Sequence, residues 1–226
     1  MYRQLRAIKV CYGAMKLHNY FRSSASYRVR IAMQLKDLPF EYIAIHLAKG
    51  EHLSQSFQDF NAEGLLPVLE VDGLQLTQSM AIIEYLDETR PQFPLLPADA
   101  QGRARVRALS QIIACEIHPV NNLRILKYLT KDLKIAEENK NTWYRHWVAL
   151  GLQAFEKQLT QGPSGKFCYG DTPTMVDCCL APQIYNAERF KVDLSEFKRT
   201  MLAYEACMKL PEFQKAHPSA CPDFEA

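Results

Sequence analysis

Apolar positions in the N-terminal part of the chain switch repeatedly between two spacings. A strand-like run, Leu17, Tyr20 and Phe21, gives way after Ser23-Ser24 to a helical pattern with Val29, Ile31-Ala32-Met33 and Leu35, and with charges at Arg28, Arg30 and Lys36. Serines at such a junction are good helix caps, because a hydroxyl accepts a bond from a first-turn N–H that has no partner within the helix. Lys36-Asp37-Leu38-Pro39 reads as a turn, and the β-rich stretch from Phe40 to Leu47 as a strand. The polar stretch from Lys49 to Asn61 predicts an irregular helix. Leu66-Pro67-Val68 opens another strand through a proline, and Asp72-Gly73 is a strong hairpin signal, with Leu74-Gln75-Leu76 as the returning strand. Gln78-Ser79 then caps a helix from Met80 to Thr89, whose Ile82-Ile83 and Tyr85-Leu86 make an apolar stripe.

The resulting order, β-α-β-α-β-β-α, reads as two βαβ-type crossovers feeding a hairpin, the order of a thioredoxin-like α/β domain over residues 15–90. Residues 91–98 are a proline-rich linker, and from Asp99, a cap, an all-helical domain runs over 99–226. Val106, Leu109, Ile112-Ile113 and Ile117 form one stripe; Trp143, Trp147, Leu150, Leu152 and Phe155 form another. Gly162 to Gly165 is a turn, and Thr174-Met175-Val176-Asp177 is a capping box that serves folding rather than chemistry. Polar residues break one helix at His118-Pro119-Val120-Asn121-Asn122-Leu123-Arg124. Pro119 should kink it, and the spacing gathers His118, Asn122 and Arg124 around one wall. Arg189 follows another helix. Residues 1–14, with Arg3, Arg6 and Lys9, lack the features of a secretory peptide. They read either as an organelle-targeting segment or as a plain extension with Met15 as the original start.

A chain of 226 residues with 48% hydrophobic content can bury a proper core. A net charge of +2 gives no reason to expect nucleic acid or an anionic membrane as partner. No apolar run approaches the roughly 18 residues of a membrane span. Seven scattered cysteines without a C-x-x-C pair point to free thiols in a reducing compartment, the cytoplasm, and to no metal site.

The candidate chemistry starts at Ser23-Ser24. A strand–helix junction presents free N–H groups and the positive end of a helix dipole, which suits an anion, a thiolate included. Pro67 admits two readings. It is either an ordinary trans proline at a strand start, or a cis proline that leaves the N–H and C=O of Leu66 free for an extended ligand.

Ser23-Ser24-x-Ser-x-Arg-Val-Arg-Ile-Ala, Leu66-Pro67 and Gln78-Ser79-x-Ala-Ile-Ile-Glu-Tyr-Leu together resemble the glutathione transferase superfamily, in particular its zeta class. That class includes maleylacetoacetate isomerases and the similar bacterial maleylpyruvate isomerases. The resemblance runs from about Lys16 to Asp223. It implies a glutathione transferase fold, glutathione as cofactor, a homodimer, and cis–trans isomerisation of a dicarboxylate keto-acid through addition of the thiolate, bond rotation and elimination. It also implies roles. Gln78 and Ser79 hold the γ-glutamyl end, Leu66 pairs with the cysteinyl unit, and His52 contacts the glycyl end. Ser23 and Ser24 face the thiol. Arg22, His118, Asn122, Arg124 and Arg189 line the acceptor site and bind carboxylates, for which a guanidinium fork is suited. One departure matters: the zeta pattern reads Ser-Ser-Cys, and here the third position is Ala25, so hydroxyls and N–H groups alone must stabilise the thiolate. Maleylacetoacetate is the first substrate reading. Maleylpyruvate, general conjugation or haloacid turnover, and a non-catalytic glutathione-binding protein are the alternatives.

Overall fold

The computed structural model describes residues 13–163 and 165–225. Most of the extension expected over residues 1–14 therefore lies outside the described residues, as does Ser164 of the expected turn.

The N-terminal half contains β1 (Lys16–Asn19), α1 (Ser24–Leu35), β2 (Glu41–Ala44), α2 (Gln55–Phe60), β3 (Val68–Val71), β4 (Leu74–Thr77) and α3 (Ser79–Thr89). The element order is the expected one, but the connections differ. The sheet runs β2-β1-β3-β4, with β1 and β2 parallel and β3 antiparallel to both β1 and β4. Only the β1-α1-β2 unit is thus a parallel crossover; the second connection carries the chain past β1 to its other side and reverses it. The strand expected over Phe40 to Leu47 spans only Glu41–Ala44, because the ladder with β1 ends where Asn19 faces Ala44. The Asp72-Gly73 turn has positive φ at both residues, 53° and 76°, as the tight turn of a twisted hairpin requires.

The helical half contains α4 (Ala100–Gln111), α5 (His118–Val120), α6 (Leu123–Lys127), α7 (Glu137–Thr160), α8 (Met175–Arg189), α9 (Lys198–Met208) and α10 (Pro211–Ala216). Asp99 caps α4, its Oδ1 accepting from the Gly102 N–H at 2.7 Å. The expected kink at Pro119 is larger than a kink. The helix widens to a π-turn over Ile112–Ile117 and breaks at Asn121-Asn122, since proline has no N–H for the preceding turn and its ring needs room there. The α7 stripe is Tyr144, Val148, Leu152, Phe155 and Leu159 rather than one led by Trp143, Trp147 and Leu150; Leu150 is exposed. Two tryptophans weighted that reading wrongly, because Trp143 uses its Nε1–H at the helix flank, donating to the Val120 carbonyl at 3.0 Å. The Thr174 box forms as expected: Asp177 accepts from the Thr174 N–H at 2.7 Å and the Cys168 N–H at 2.9 Å.

One core joins the halves. It contains Leu17, Val29 and Ile31 from the sheet half, Val106 and Leu109 from α4, and Phe155 and Ile184 from α7 and α8. Helix α1 packs on both α8 and α10. The stretch between the halves is pinned. Buried Lys36 pairs with Asp87 at 2.8 Å and donates to the carbonyls of Arg90, Gln92 and Phe93. Asp87 in turn accepts from the N–H groups of Leu95 and Leu96. No helix among the described residues is long and apolar enough to cross a membrane. Among the six described cysteines, all free, only Cys115 is exposed.

Candidate active site

The helix start at Ser23 is built as the sequence suggested. Ser23 is the cap of α1, its Oγ accepting from the Ser26 N–H at 3.2 Å, while its carbonyl takes the Tyr27 N–H. That leaves the N–H groups of Ser24 and Ala25 without an acceptor among the described residues. They are first-turn donors at the positive end of a 12-residue helix. Ser24 is buried, and its Oγ accepts from Asn186 Nδ2 at 2.5 Å. Asn186 Oδ1 accepts in turn from Arg189 Nη1 at 3.1 Å, so a chain of bonds joins the serine turn to the last residue of α8. Both serine hydroxyls keep their hydrogens for another acceptor.

This turn opens on a cavity of about 450 Å³. Arg22, Ser23 and Ser24 line it from the α1 side, His52 and Leu66 from the sheet half, and His118, Asn122, Arg124 and Arg189 from the helical half. A smaller cavity of about 160 Å³ adjoins it, sharing Leu66, His118, Asn122 and Arg124 and adding Gln78 and Ser79. The structure thus brings all the sequence-predicted site residues to one place.

The peptide bond Leu66-Pro67 is cis, which decides between the two readings of Pro67. Leu66 lies outside the sheet ladder, which begins at Val68. Ser79 is not a cap, as expected, but the first residue of α3. Gln78 takes the capping position with φ 64°, and its side chain does not cap the helix. The Ser79 hydroxyl instead accepts from Arg28 Nη1 at 3.2 Å.

Electrostatics favour an anion. Among the described residues, Arg22, Arg28, Arg124 and Arg189 have no carboxylate partner, whereas several cations outside the cavities do: Arg107 with Glu84, Arg90 with Asp72, Lys36 with Asp87. Burial pulls the Arg28 guanidinium below its usual range, and its Nε has no partner. Burial, followed by the charges of Arg28 and Arg124, pushes His118 down to about 3, so its imidazole is neutral. Asn122 Oδ1 accepts from the Arg124 N–H at 3.2 Å, which turns Nδ2 toward His118 Nε2 at 3.3 Å. The network therefore makes Nε2 an acceptor and places the His118 proton on Nδ1. Burial and Lys127 also lower His52, whose Nδ1 is buried and unpartnered.

Three residues escaped the sequence reading: Arg28, Asn186 and Glu63. A signal for Arg28 was present. A run apolar all round, Val29 and Ile31-Ala32-Met33, marks a buried helix, so an arginine inside it must be buried too. Nothing in the local pattern marks Asn186 or Glu63.

The donor set suits a tripeptide carrying a thiol and carboxylates at both ends: free N–H groups at two helix starts, an unladdered peptide at Leu66, and unpaired arginines. Comparison with known proteins points the same way. Residues 13–88 match the glutathione S-transferase N-terminal domain and residues 148–217 the glutathione S-transferase C-terminal domain. A maleylpyruvate isomerase from Ralstonia sp is 47% identical over 210 residues, covering 92% of this chain and 99% of that protein. The holo structure of maleyl pyruvate isomerase, a bacterial zeta-class glutathione S-transferase, superposes with a TM-score of 0.91 at 46% identity, covering 93% of this chain and 100% of that one. The maleylacetoacetate isomerase of Anaeromyxobacter dehalogenans 2CP-1, with glutathione bound in its active site, gives 0.85 at 40% identity over 94% of this chain and 98% of that one.

Proposed function

Since the chain belongs to the glutathione S-transferase family, in its zeta class, we propose that it is a glutathione-dependent cis–trans isomerase of a maleyl keto-acid, with maleylacetoacetate as the first assignment. The single observation that carries this reading is the group of arginines without carboxylate partners around a cavity that also receives the free N–H groups of α1. A conjugating enzyme for apolar electrophiles would not need that much positive charge.

Bound glutathione supplies a thiolate that adds reversibly to the double bond, making it single for long enough to rotate. The remaining work falls to this chain. Ser23 and Ser24 donate their hydroxyl hydrogens, and the Ser24 and Ala25 N–H groups add two further donors, at the place where the sulfur sits. Leu66 offers its N–H and C=O to the cysteinyl backbone, His52 its unpartnered ring nitrogen to the glycyl end, and Gln78 and Ser79 bind the γ-glutamyl end. Arg22, Arg124 and Arg189 grip the substrate's carboxylates. The second Nδ2 hydrogen of Asn122 and the Nδ1–H of His118 are neutral donors for the ketone oxygen as negative charge develops on it.

Magnitudes rank these parts. A thiol of pKa ~8.5 is only a few per cent ionised at neutral pH. Lowering it by roughly two units takes ~2.7 kcal/mol and raises the thiolate population about 20-fold, part of which is returned as weaker nucleophilicity. Holding two reactants in register can contribute about 7–11 kcal/mol. The arginine grip therefore matters at least as much as the serine turn.

We take residues 15–90 as the glutathione-binding domain and 99–226 as the substrate-binding domain, joined through 91–98, in a homodimer that works in the cytoplasm. The test is glutathione-dependent turnover of maleylacetoacetate and maleylpyruvate side by side, with a chloro-nitrobenzene conjugation assay as control. Faster isomerisation of maleylacetoacetate supports the assignment, and faster turnover of maleylpyruvate moves it to the shorter diacid. Conjugation without isomerisation would make the protein a general transferase. Glutathione binding with neither activity would make it a non-catalytic binder.

A further inference from the structure

Glu63 is the one carboxylate among the residues lining the two cavities. It stands among five cations, Arg22, Arg28, Arg124, Lys127 and Arg189, yet it pairs with none of them. Its partners are neutral. Oε2 accepts from Gln78 Nε2 at 2.8 Å and Oε1 from the Thr77 hydroxyl at 3.3 Å. The first of these bonds settles which way the Gln78 amide faces. That bond takes one of the two Nε2 hydrogens and leaves Oε1 as a free acceptor beside Glu63.

Around the corner of the smaller cavity the polarity reverses. Arg28, 3% exposed, holds the Ser79 hydroxyl with Nη1 and has an unpartnered Nε. Helix α3, 11 residues long, starts there without a side-chain cap, so its first N–H groups are free donors. Two acceptors, one of them charged, thus face a cation and a row of N–H donors across a small cavity. An α-amino acid presents the matching pair, an ammonium and a carboxylate on one carbon.

We propose that Glu63, together with the Gln78 Oε1 it orients, recognises the α-ammonium of the γ-glutamyl end of glutathione, opposite Arg28 and Ser79, which take the α-carboxylate. The inference rests on the glutathione reading above and adds a residue and a selectivity to it. A ligand with the carboxylate but no ammonium gains nothing from Glu63, and its own negative charge is repelled by it. Glu63 is exposed, so its substitution does not disturb the core.

The test is calorimetric. Dissociation constants are measured for glutathione and for its des-amino analogue, glutaryl-cysteinyl-glycine, on the full chain and on Glu63→Gln, which keeps an acceptor for Gln78 but removes the charge. The expected result is glutathione bound about tenfold or more weakly by the variant, in the range of one lost charge-assisted bond, with the analogue's constant unchanged or improved. Equal weakening of both ligands, or no weakening of either, overturns the role of Glu63 while leaving glutathione as the ligand. Absence of glutathione binding by the unaltered chain overturns the glutathione reading itself, and this inference with it.

Discussion

Helix α1 divides the molecule into two regions that treat a buried cation in opposite ways. Arg28 and Arg30 are two residues apart, so they leave the helix in nearly opposite directions, and both are almost fully buried, 3% and 2% exposed. Toward the interior, every guanidinium nitrogen of Arg30 has a partner. Its Nε donates to the Ala216 carbonyl, Nη1 to Asn19 Oδ1 and the Tyr20 carbonyl, and Nη2 to the Phe21 carbonyl. Toward the cavity, Arg28 has one hydrogen-bond partner among the described residues, a serine hydroxyl, and an orphaned Nε. Burial alone therefore does not separate a structural arginine from a functional one; the number of satisfied N–H groups does. Arg30 holds in place the loop that ends in Arg22 and Ser23. Arg28 is held ready for something the chain itself does not supply.

The contrast breaks most visibly at Arg30. Arg30→Leu strands the Ala216 and Phe21 carbonyls and the Asn19 amide oxygen, and leaves the Tyr20 carbonyl only its bond from the Ser23 N–H; it should cost about 4 kcal/mol or more, read as a drop in the chemical-denaturation midpoint. Arg28→Leu is the mirror experiment. It removes a buried charge that nothing neutralises, so stability should stay within about 1 kcal/mol of the parent while glutathione affinity falls about tenfold or more. If Arg28→Leu unfolded the protein as Arg30→Leu does, the distinction between them would be gone. Arg189→Ala leaves Asn186 free of its guanidinium and removes one carboxylate grip. It should raise KM, lower kcat, or both, by about tenfold overall, with unchanged glutathione affinity. The effect that is smallest at neutral pH is that of His118, which shows only on acidification. His118 lies at about 3 in the folded protein, against about 6.5 unfolded, so on acidification the unfolded chain takes up the proton first. That contribution is fully present above about pH 6.5 and is lost as pH falls toward 3. His118→Gln should flatten the stability–pH slope across that window; an identical slope would mean that His118 is not held neutral.

Much of this was legible in the chain, for local reasons. The Ser23 cap, the Asp72-Gly73 hairpin and the Thr174 box are each decided within four residues by turn chemistry, and all three stand as read. The direction of β3 was not legible, because nothing local to Val68–Val71 says on which side of β1 it will pair. The α7 stripe failed for a related reason: tryptophan at a helix flank and tyrosine in the core look alike until the neighbouring carbonyl of Val120 is placed. The site residues that motif likeness supplied all reach the cavities. Of the three it gave no role, Arg28, Asn186 and Glu63, the last two are placed at the cavities by bonds to other side chains, Ser24 and Arg189 in one case and Gln78 in the other. Bonds between side chains distant in sequence leave no trace in spacing.

The central claim is that the start of α1, with Ser23, Ser24 and two free N–H groups, holds a glutathione thiolate. A spectrophotometric pH titration of glutathione bound to the protein, following thiolate absorbance, tests it most directly. The account predicts half-ionisation about two units below the ~8.5 of an ordinary thiol, returning part of the way in Ser23→Ala. A bound thiol that ionises at the same pH as free glutathione, in the parent and the variant alike, would contradict it.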